Sequence, residues 1–411
     1  MNNNSATNVA DPSFGKAWLG TYRDTNGQVM YDLAKASNYN ACVCGTSGSG
    51  KTYFIRELIK RVYIPLGVTL CILDVHDDYA EIPGLDESYF NHIELTYTDQ
   101  LGTINPLKVD PNSGTYMPIR HMLAVTKMFN PNMGSTQQGL LRNVLSQVYV
   151  EAGIIQENRD TWTKSAPTLQ DVLTFIINAK NAASMGLTNT FVKNVRKALK
   201  KDEISDDEFH GLGKKLCSMV ERVDKSIEKV WNAKAMESLE SIVATMVSTS
   251  LFGEDNIRLR PGMVNRFSLK SLHESDQLIM AHLLMDRTFT TVLHHNEKKY
   301  RPAPELMMIL DEGKLVKSIS RSPMSPLNRI ATEARGFGMG MLFGVQSIEH
   351  LTGDTQKNCS MFTLLTVPAT EYSDAARRFQ ISKEELQRMT PHRDAMIYFN
   401  SGAFKNMTLF Q

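Results

Sequence analysis

The sequence has no run of about eighteen consecutive apolar residues and no apolar core near its start. A membrane-spanning helix needs about 20 such residues, so the first absence argues against a direct membrane span. The second argues against a signal peptide, because the opening residues MNNNSATNVADPS are mostly polar. We therefore expect a cytoplasmic protein, in which any association with the inner membrane is made through partners.

The chain lacks a net charge of either sign. Its 45 lysine and arginine residues nearly match its 44 aspartate and glutamate residues, and the formal net charge is +1. Such a balance gives no general attraction to nucleic acid, whose backbone binds clustered positive charge. If the protein handles DNA, its basic surface must be local, as it would be along an assembled channel.

Cysteine is scarce, and the five residues show no framework spacing. An odd, scattered set argues against a secreted disulfide scaffold. Cys42 and Cys44 are two positions apart, but no second pair of cysteines or histidines has the spacing of zinc ligands. We interpret both as small hydrophobic residues of an apolar strand.

The 411 residues, 42% of them hydrophobic, are enough for more than one domain. Short apolar runs alternate with helical patterns near both ends of the chain, which favours an α/β fold with a mostly parallel sheet flanked by helices. Between them, apolar residues recur at helical spacing. The predicted organisation is a disordered start at 1–15, a core in two parts at 16–115 and 297–411, and an inserted all-α domain at 116–296.

A glycine-rich loop stands between an apparent strand, 40–44, and an apparent helix. Glycine lets backbone amides turn inward around phosphate oxygens, and the start of the helix adds its positive dipole end. The lysine can reach the β- and γ-phosphates and the final threonine can ligate Mg²⁺, so the loop predicts binding of ATP and Mg²⁺. It fits G-x-x-x-x-G-K-[ST] in full, with the residues Gly45, Thr46, Ser47, Gly48, Ser49, Gly50, Lys51 and Thr52.

A phosphate loop needs an acidic residue at the end of a neighbouring strand to hold Mg²⁺, and the sequence offers two. Asp74 ends one apolar run, and Asp311 ends another and is followed by Glu312. We prefer the second, since Asp311 can hold the metal through water while Glu312 orients or deprotonates the attacking water.

The stretch after the first acid has the composition of a metal cluster, with Asp74, His76, Asp77 and Asp78. Loops at the carboxyl ends of strands line the ligand crevice of an open α/β sheet. We interpret this stretch as such a loop, near the nucleotide but ligating no metal.

Two polar residues near a later strand are further candidates. Gln346 ends the run Phe343–Val345, where its amide can touch the γ-phosphate or the attacking water. Arg335 precedes the same strand, and an arginine that reaches a neighbouring subunit's γ-phosphate stabilises the transition state. A surface arginine paired with an acid is the alternative, and Arg329, Arg377 and Arg378 compete for the role.

In their order and spacing these segments resemble the HerA–FtsK superfamily of ring-forming motors, and within it the ATPases of conjugation and type IV secretion. The 260 positions between the loop lysine and Asp311 match a family plan in which a helical domain is inserted into a RecA-like core. Gly313 departs from the pattern, because secretion ATPases often have alanine there. The segments are Gly45–Thr52, Ile72–Tyr79, Ile104–Leu107, Pro167–Asp171, Leu310–Glu312, Arg335–Gly338 and Gly344–Ser347.

The resemblance implies a homo-hexameric ring with ATP at the subunit interfaces, Gln346 sensing the nucleotide and Arg335 acting in trans. It implies DNA or a secreted protein as cargo and secretion-channel proteins as partners. Two alternatives stay open: a HerA-like double-stranded DNA translocase that acts with a nuclease, and a nucleotide-binding scaffold with little turnover. The intact acids and loop lysine speak against the scaffold.

Overall fold

The computed structural model of the chain describes residues 15–98, 102–185, 211, 233–322, 324–351, 353–400 and 402–409. The predicted disordered start lies almost wholly outside these ranges, in residues 1–14. The chain divides into two compact units. We call them the sheet unit, formed by residues 1–96 and 257–411, and the helical unit, formed by residues 97–256.

The described residues of the sheet unit contain one eleven-stranded sheet. Its strands are β1 (Lys16–Tyr22), β2 (Gln28–Asp32), β3 (Ala41–Cys44), β4 (Thr69–Asp74), β5 (Phe90–Glu94), β6 (Val264–Ser268), β7 (Leu306–Leu310), β8 (Met339–Val345), β9 (Met361–Leu364), β10 (Asp394–Phe399) and β11 (Lys405–Leu409). Across the sheet they follow the order β2-β1-β11-β10-β9-β3-β8-β7-β4-β6-β5.

The centre of the sheet is parallel, from β9 through β3, β8, β7, β4 and β6 to β5. All residues of β3, β7 and β8 are buried, as expected for strands covered on both faces. This explains why they read as continuous apolar runs in the sequence. The prediction of a mostly parallel sheet flanked by helices is confirmed. The carboxyl ends of β3, β4, β7 and β8 meet at one edge, which we call the loop edge.

The remaining strands form an antiparallel margin. β10 pairs with β9, β11 with β10, β1 with β11 and β2 with β1, each in antiparallel register. β1 and β2 form a hairpin at the outer side of this margin. Because β10 runs opposite to β9, it begins at the loop edge.

The helices of the sheet unit cover the sheet, and those of the helical unit pack on one another. In the helical unit, α4 and α5 are in contact, and Val172, Ile176, Leu239 and Val243 are buried there. Within the described ranges no helix combines the length and apolarity needed to cross a lipid bilayer. The helices are α1 (Lys51–Leu58), α2 (Tyr116–Phe129), α3 (Ser135–Glu151), α4 (Leu169–Met185), α5 (Ala233–Ser248), α6 (Glu274–His295), α7 (Gly313–Arg321), α8 (Pro326–Glu333), α9 (Gly353–Lys357), α10 (Tyr372–Phe379) and α11 (Lys383–Gln387).

The boundaries of the helical unit differ from the expected 116 and 296. Residues 97–98 and 102–115 lie outside the helices and strands, and they belong to the helical unit. At the other end, β6 lies between β4 and β5, and α6 also belongs to the sheet unit. The polar residues Asn265 and Arg266 hide this strand in the sequence, although both side chains are buried.

Candidate functional site

The glycine-rich loop joins β3 to α1 at the loop edge, as its sequence predicts. The amide of Gly45 donates to the Val345 carbonyl at 3.0 Å, and the amide of Thr46 donates to the Thr366 carbonyl at 3.0 Å. The base of the loop is therefore fixed to the chain on both sides of β3. Gly48 and Gly50 have φ of +76° and +95°, a left-handed backbone that favours glycine.

The loop has the features of a phosphate cradle. Its crown, Ser47 and Gly48, is exposed, and a Cβ placed on Gly48 would meet only open space. The hydroxyl oxygen of Ser49 is buried without a hydrogen-bond partner among the described residues. Immediately after Gly50, α1 begins at Lys51. A curved run of glycines, a spare hydroxyl and a helix start fit a triphosphate.

Asp311 lies directly against this loop, although 260 positions separate it from Lys51. Lys51 Nζ donates to Asp311 Oδ1 at 2.8 Å, and Thr52 Oγ1 donates to Asp311 Oδ2 at 3.0 Å. A third donor, the Tyr79 hydroxyl, is 2.8 Å from Oδ2. Burial raises the pKa of Asp311 above its ordinary value, and the attraction of Lys51 opposes that rise. Carboxylate and hydroxyl oxygens are ligands that suit Mg²⁺, so the side chains of Asp311 and Thr52 fit the predicted ion.

Gly344 makes room for that carboxylate. It belongs to β8, next to β7, and a Cβ built on it would overlap the side chain of Asp311. Its φ is not in the left-handed region, so space rather than backbone freedom requires a glycine here. The glycine of the Gly344–Ser347 segment is thus explained by the acid on the neighbouring strand.

Glu312 caps the start of α7. Its Oε1 accepts the amide of Lys314 at 3.0 Å, and its Oε2 lies 3.2 Å from Nε2 of His76. The residue is only 8% exposed. The next residue, Gly313, packs on the ring of His350, and a Cβ on it would overlap that ring. Burial and Lys317 lower the pKa of His350, which favours a neutral imidazole beside the acidic pair.

The other candidate acid, Asp74, has a different set of partners. Its carboxylate accepts the amides of Asp78 and Tyr79, at 3.1 and 3.0 Å, and Arg266 Nε at 2.7 Å. Arg266 also pairs with Asp77 and, at 2.9 Å, with Glu94. These bonds occupy Asp74 and fix the loop that carries Tyr79. In the described part of the chain no group of three or more His, Cys, Asp or Glu side chains is arranged to hold a metal.

Gln346 and Arg335 lie at opposite ends of β8. Gln346 is exposed and directly follows Val345, which bonds to the first glycine of the loop. Arg335 is exposed, and its Nη2 donates to the Ala36 carbonyl at 2.9 Å. The seven residues of β8 separate the two by roughly 20 Å at the usual rise per residue. The structure therefore does not bring Arg335 to the phosphate loop of its own chain.

The competing arginines have partners within the chain. Arg329 pairs with Asp286 at 3.1 Å and Arg377 with Asp374 at 2.8 Å. Arg378 donates to the carbonyls of Ile348 and Leu351, at 2.9 and 3.1 Å, so it supports the segment that follows Gln346.

Three residues of the site were missed by sequence reasoning. Tyr79 contacts Asp311, Arg266 neutralises Asp74, and His392 donates its amide to the Ser49 carbonyl at 3.2 Å. Only Tyr79 gave a signal, because it ends the segment Ile72–Tyr79. The other two come from distant positions that only folding brings close.

Comparison with known proteins gives consistent matches. Residues 19–287 match the family described as helicase HerA, central domain. Protein TraC of Escherichia coli (strain K12) is 27% identical over 179 residues, which are 42% of this chain and only 18% of TraC. VirB4 of Thermoanaerobacter pseudethanolicus has a TM-score of 0.68 at 15% identity, with 98% of each chain covered. The bacterial conjugative coupling protein TrwBdeltaN70 has a TM-score of 0.55 at 14% identity, covering 90% of this chain and 84% of that one. At these identities the two structures show a shared fold.

Proposed function

The chain belongs to the helicase HerA central-domain family, and on that premise we propose that it is a Mg²⁺-dependent ATPase motor of conjugation or type IV secretion. The observation that carries the proposal is the contact of Asp311 with both Lys51 and Thr52. P-loop hydrolases usually combine a glycine-rich loop with a lysine, a hydroxyl group and a carboxylate at its end.

Each part of the loop has a separate task in this proposal. The backbone of Gly45–Gly50 and the start of α1 bind the phosphates, and Lys51 exchanges Asp311 for the β- and γ-phosphate oxygens. Thr52 and Asp311 would hold Mg²⁺, which when bound would neutralise charge on the phosphates. Tyr79 keeps one oxygen of Asp311 in a fixed direction.

Glu312 is proposed to orient or deprotonate the attacking water. Its carboxylate is held by the Lys314 amide and by His76, so it is directed by contacts from two elements. Gln346, one residue beyond β8, is proposed to sense the γ-phosphate.

Arg335 is proposed to act on the nucleotide of a neighbouring subunit in a homo-hexameric ring. Arg335 lies too far from the phosphate loop of its own chain to reach a nucleotide bound there, which supports a role in trans. The cargo is DNA or a secreted protein, and the partners are secretion-channel proteins. The shared fold with TrwBdeltaN70, which is described as a bacterial conjugative coupling protein, supports this conjugative assignment.

A HerA-like double-stranded DNA translocase acting with a nuclease is the second candidate. The family match over residues 19–287 favours it directly. Stimulation of hydrolysis by double-stranded DNA would support it or a DNA-pumping secretion motor. A low-turnover scaffold is disfavoured, because Lys51, Asp311 and Glu312 are all present and Asp311 contacts Lys51.

The test is an ATPase assay on size-separated oligomers, with and without single-stranded and double-stranded DNA. Lys51→Ala should abolish ATP binding, because it removes the ammonium group. Glu312→Gln should bind ATP and hydrolyse it slowly. Normal turnover by folded Lys51→Ala would remove the ATPase assignment, and parent-like turnover by Glu312→Gln would show that another group positions the water.

A further inference from the structure

A distant segment, residues 390–394, lies against the end of the phosphate loop. The amide of His392 donates to the Ser49 carbonyl at 3.2 Å. Its ring lies beside Gly50, since a Cβ placed on that glycine would be 3.0 Å from His392 Nδ1. The side chain is nevertheless exposed. His392 therefore stands at the point where the loop passes into α1, with one side on the loop and the other open to solvent.

The backbone of His392 is held in an unfavourable conformation. Its φ is +62°, in the left-handed region that side chains with a Cβ rarely adopt. The surrounding segment fixes it: the amide of Thr390 donates to Asp394 Oδ2 at 2.9 Å, and the amide of Asp394 donates to the Thr390 carbonyl at 3.0 Å. Residues kept in such conformations by their surroundings cluster at ligand-binding sites.

The order of the strands indicates how a nucleotide bound to the loop is oriented. Asp311 and Gln346, which are expected near the γ-phosphate, follow β7 and β8 on one side of β3. The nucleoside end of a triphosphate lying along the loop therefore points to the other side, toward β9 and β10. His392 lies two positions before the start of β10, on that side.

We propose that His392 forms the nucleoside side of the ATP site, with its imidazole ring against the ribose and base. The inference rests on the proposed function, because it needs a triphosphate on the loop. An imidazole offers a flat face for a purine and a ring nitrogen for a ribose hydroxyl.

The test compares two ligands that share the phosphates and differ in the nucleoside. Dissociation constants of Mg·ATP and Mg·tripolyphosphate are measured by titration calorimetry on the full chain. The variants are His392→Asn and His392→Gly, since both residues tolerate a left-handed backbone. An exposed histidine at the end of α6, His295, gives the matched control His295→Asn. Loss of stacking predicts ATP binding weakened about 10- to 100-fold in the His392 variants, with tripolyphosphate binding unchanged.

The outcomes separate this inference from the assignment of the ATPase site. ATP affinity unchanged in both His392 variants would overturn the inference, and so would an equal loss for both ligands, because His392 would then only shape the loop. The inference also requires that the parent protein bind ATP more tightly than tripolyphosphate. This comparison needs no variant. If the parent binds neither ligand, the proposed function fails instead.

Discussion

Two neighbouring strand ends show how one sequence pattern produces two different sites. β4 and β7 are adjacent and parallel, Leu73 lies opposite Leu310, and each strand leads into an aspartate. Asp74 is enclosed by Arg266 and two backbone amides. Asp311 is enclosed by groups of the phosphate loop and by a tyrosine hydroxyl. An aspartate at the end of a strand therefore either stabilises the fold or ligates a metal, depending on which chain segment packs beside it.

Sheet order explains the different partners. β4 lies between β7 and β6, and β6 supplies the arginine that neutralises Asp74. β7 lies between β4 and β8, and β8 supplies Gly344, which has no side chain to compete for Asp311. The acid of β4 is thus paired with a buried guanidinium that also binds Asp77 and Glu94. The acid after β7 is paired with Lys51, which is proposed to turn to the phosphates when ATP binds.

The largest expected effect comes from Asp311→Asn. Losing the carboxylate that holds Mg²⁺ should lower the rate of ATP hydrolysis by at least about 100-fold, because metal stabilisation of the phosphates is worth several kcal/mol. Folding stability should stay close to that of the parent, since the change removes a buried charge. The measurement is kcat at saturating Mg²⁺ together with a thermal melt. A turnover close to the parent's would show that the two strand ends do not differ as proposed.

Asp74→Asn should affect stability instead. It leaves the Arg266 side chain, 4% exposed, without its most buried carboxylate partner, and breaking a buried pair costs about 3 kcal/mol or more. Urea unfolding checks the free energy of unfolding. The double variant Asp74→Asn/Arg266→Met should regain part of the loss, because it removes both charges. If Asp74→Asn kept full stability and lost hydrolysis, the roles of the two acids would be reversed.

Tyr79→Phe should have a smaller effect. It removes one hydrogen bond to Asp311, worth about 1 kcal/mol, so the Mg²⁺ concentration for half-maximal hydrolysis should rise about 5-fold. Tyr39→Phe is the matched control, since Tyr39 is also buried and its hydroxyl donates to the Arg301 carbonyl, remote from the acids. An equal change in Mg²⁺ dependence for both variants would assign the effect to packing.

The smallest expected effect is the response to pH. A hydrogen bond from Lys270 lowers the pKa of Asp77, which belongs to the Asp74 network, below 3.8. Its contribution to stability is complete above the unfolded value and is lost as the pH falls through the lowered pKa. Asp311 has the opposite sign: burial raises its pKa, so its charge opposes folding at neutral pH and this opposition ends as the pH falls through the raised value.

Urea unfolding between pH 3 and pH 7 measures this difference in sign. The stability of the parent relative to Asp77→Asn should fall on acidification, whereas its stability relative to Asp311→Asn should rise. The same slope for both pairs would contradict the distinction between the two strand ends.

Local patterns in the sequence predicted the parts of the fold that depend on local forces. The glycine loop, the buried runs of β3, β7 and β8, and the position of Asp311 after β7 all follow from residue types at short spacing. β6 was not predicted, because its polar residues can be buried only where β4 and the loop after it supply their partners. His392 could not be found, since its role comes from a contact with Ser49, which is distant in the sequence.

The arrangement of the strands has a consequence for synthesis on the ribosome. Among the described strands, β3, β4 and β5 are not neighbours of one another, and the strands that flank β3 are β8 and β9. β8 leaves the ribosome about 300 residues after β3, roughly 15–60 s later at common elongation rates. Until then the nascent chain carries apolar strands with unpaired edges, which are prone to aggregate. β3, which leads into the phosphate loop, can therefore pair with β8 only after about 300 further residues have been made, so the site is assembled late in the synthesis of this unit.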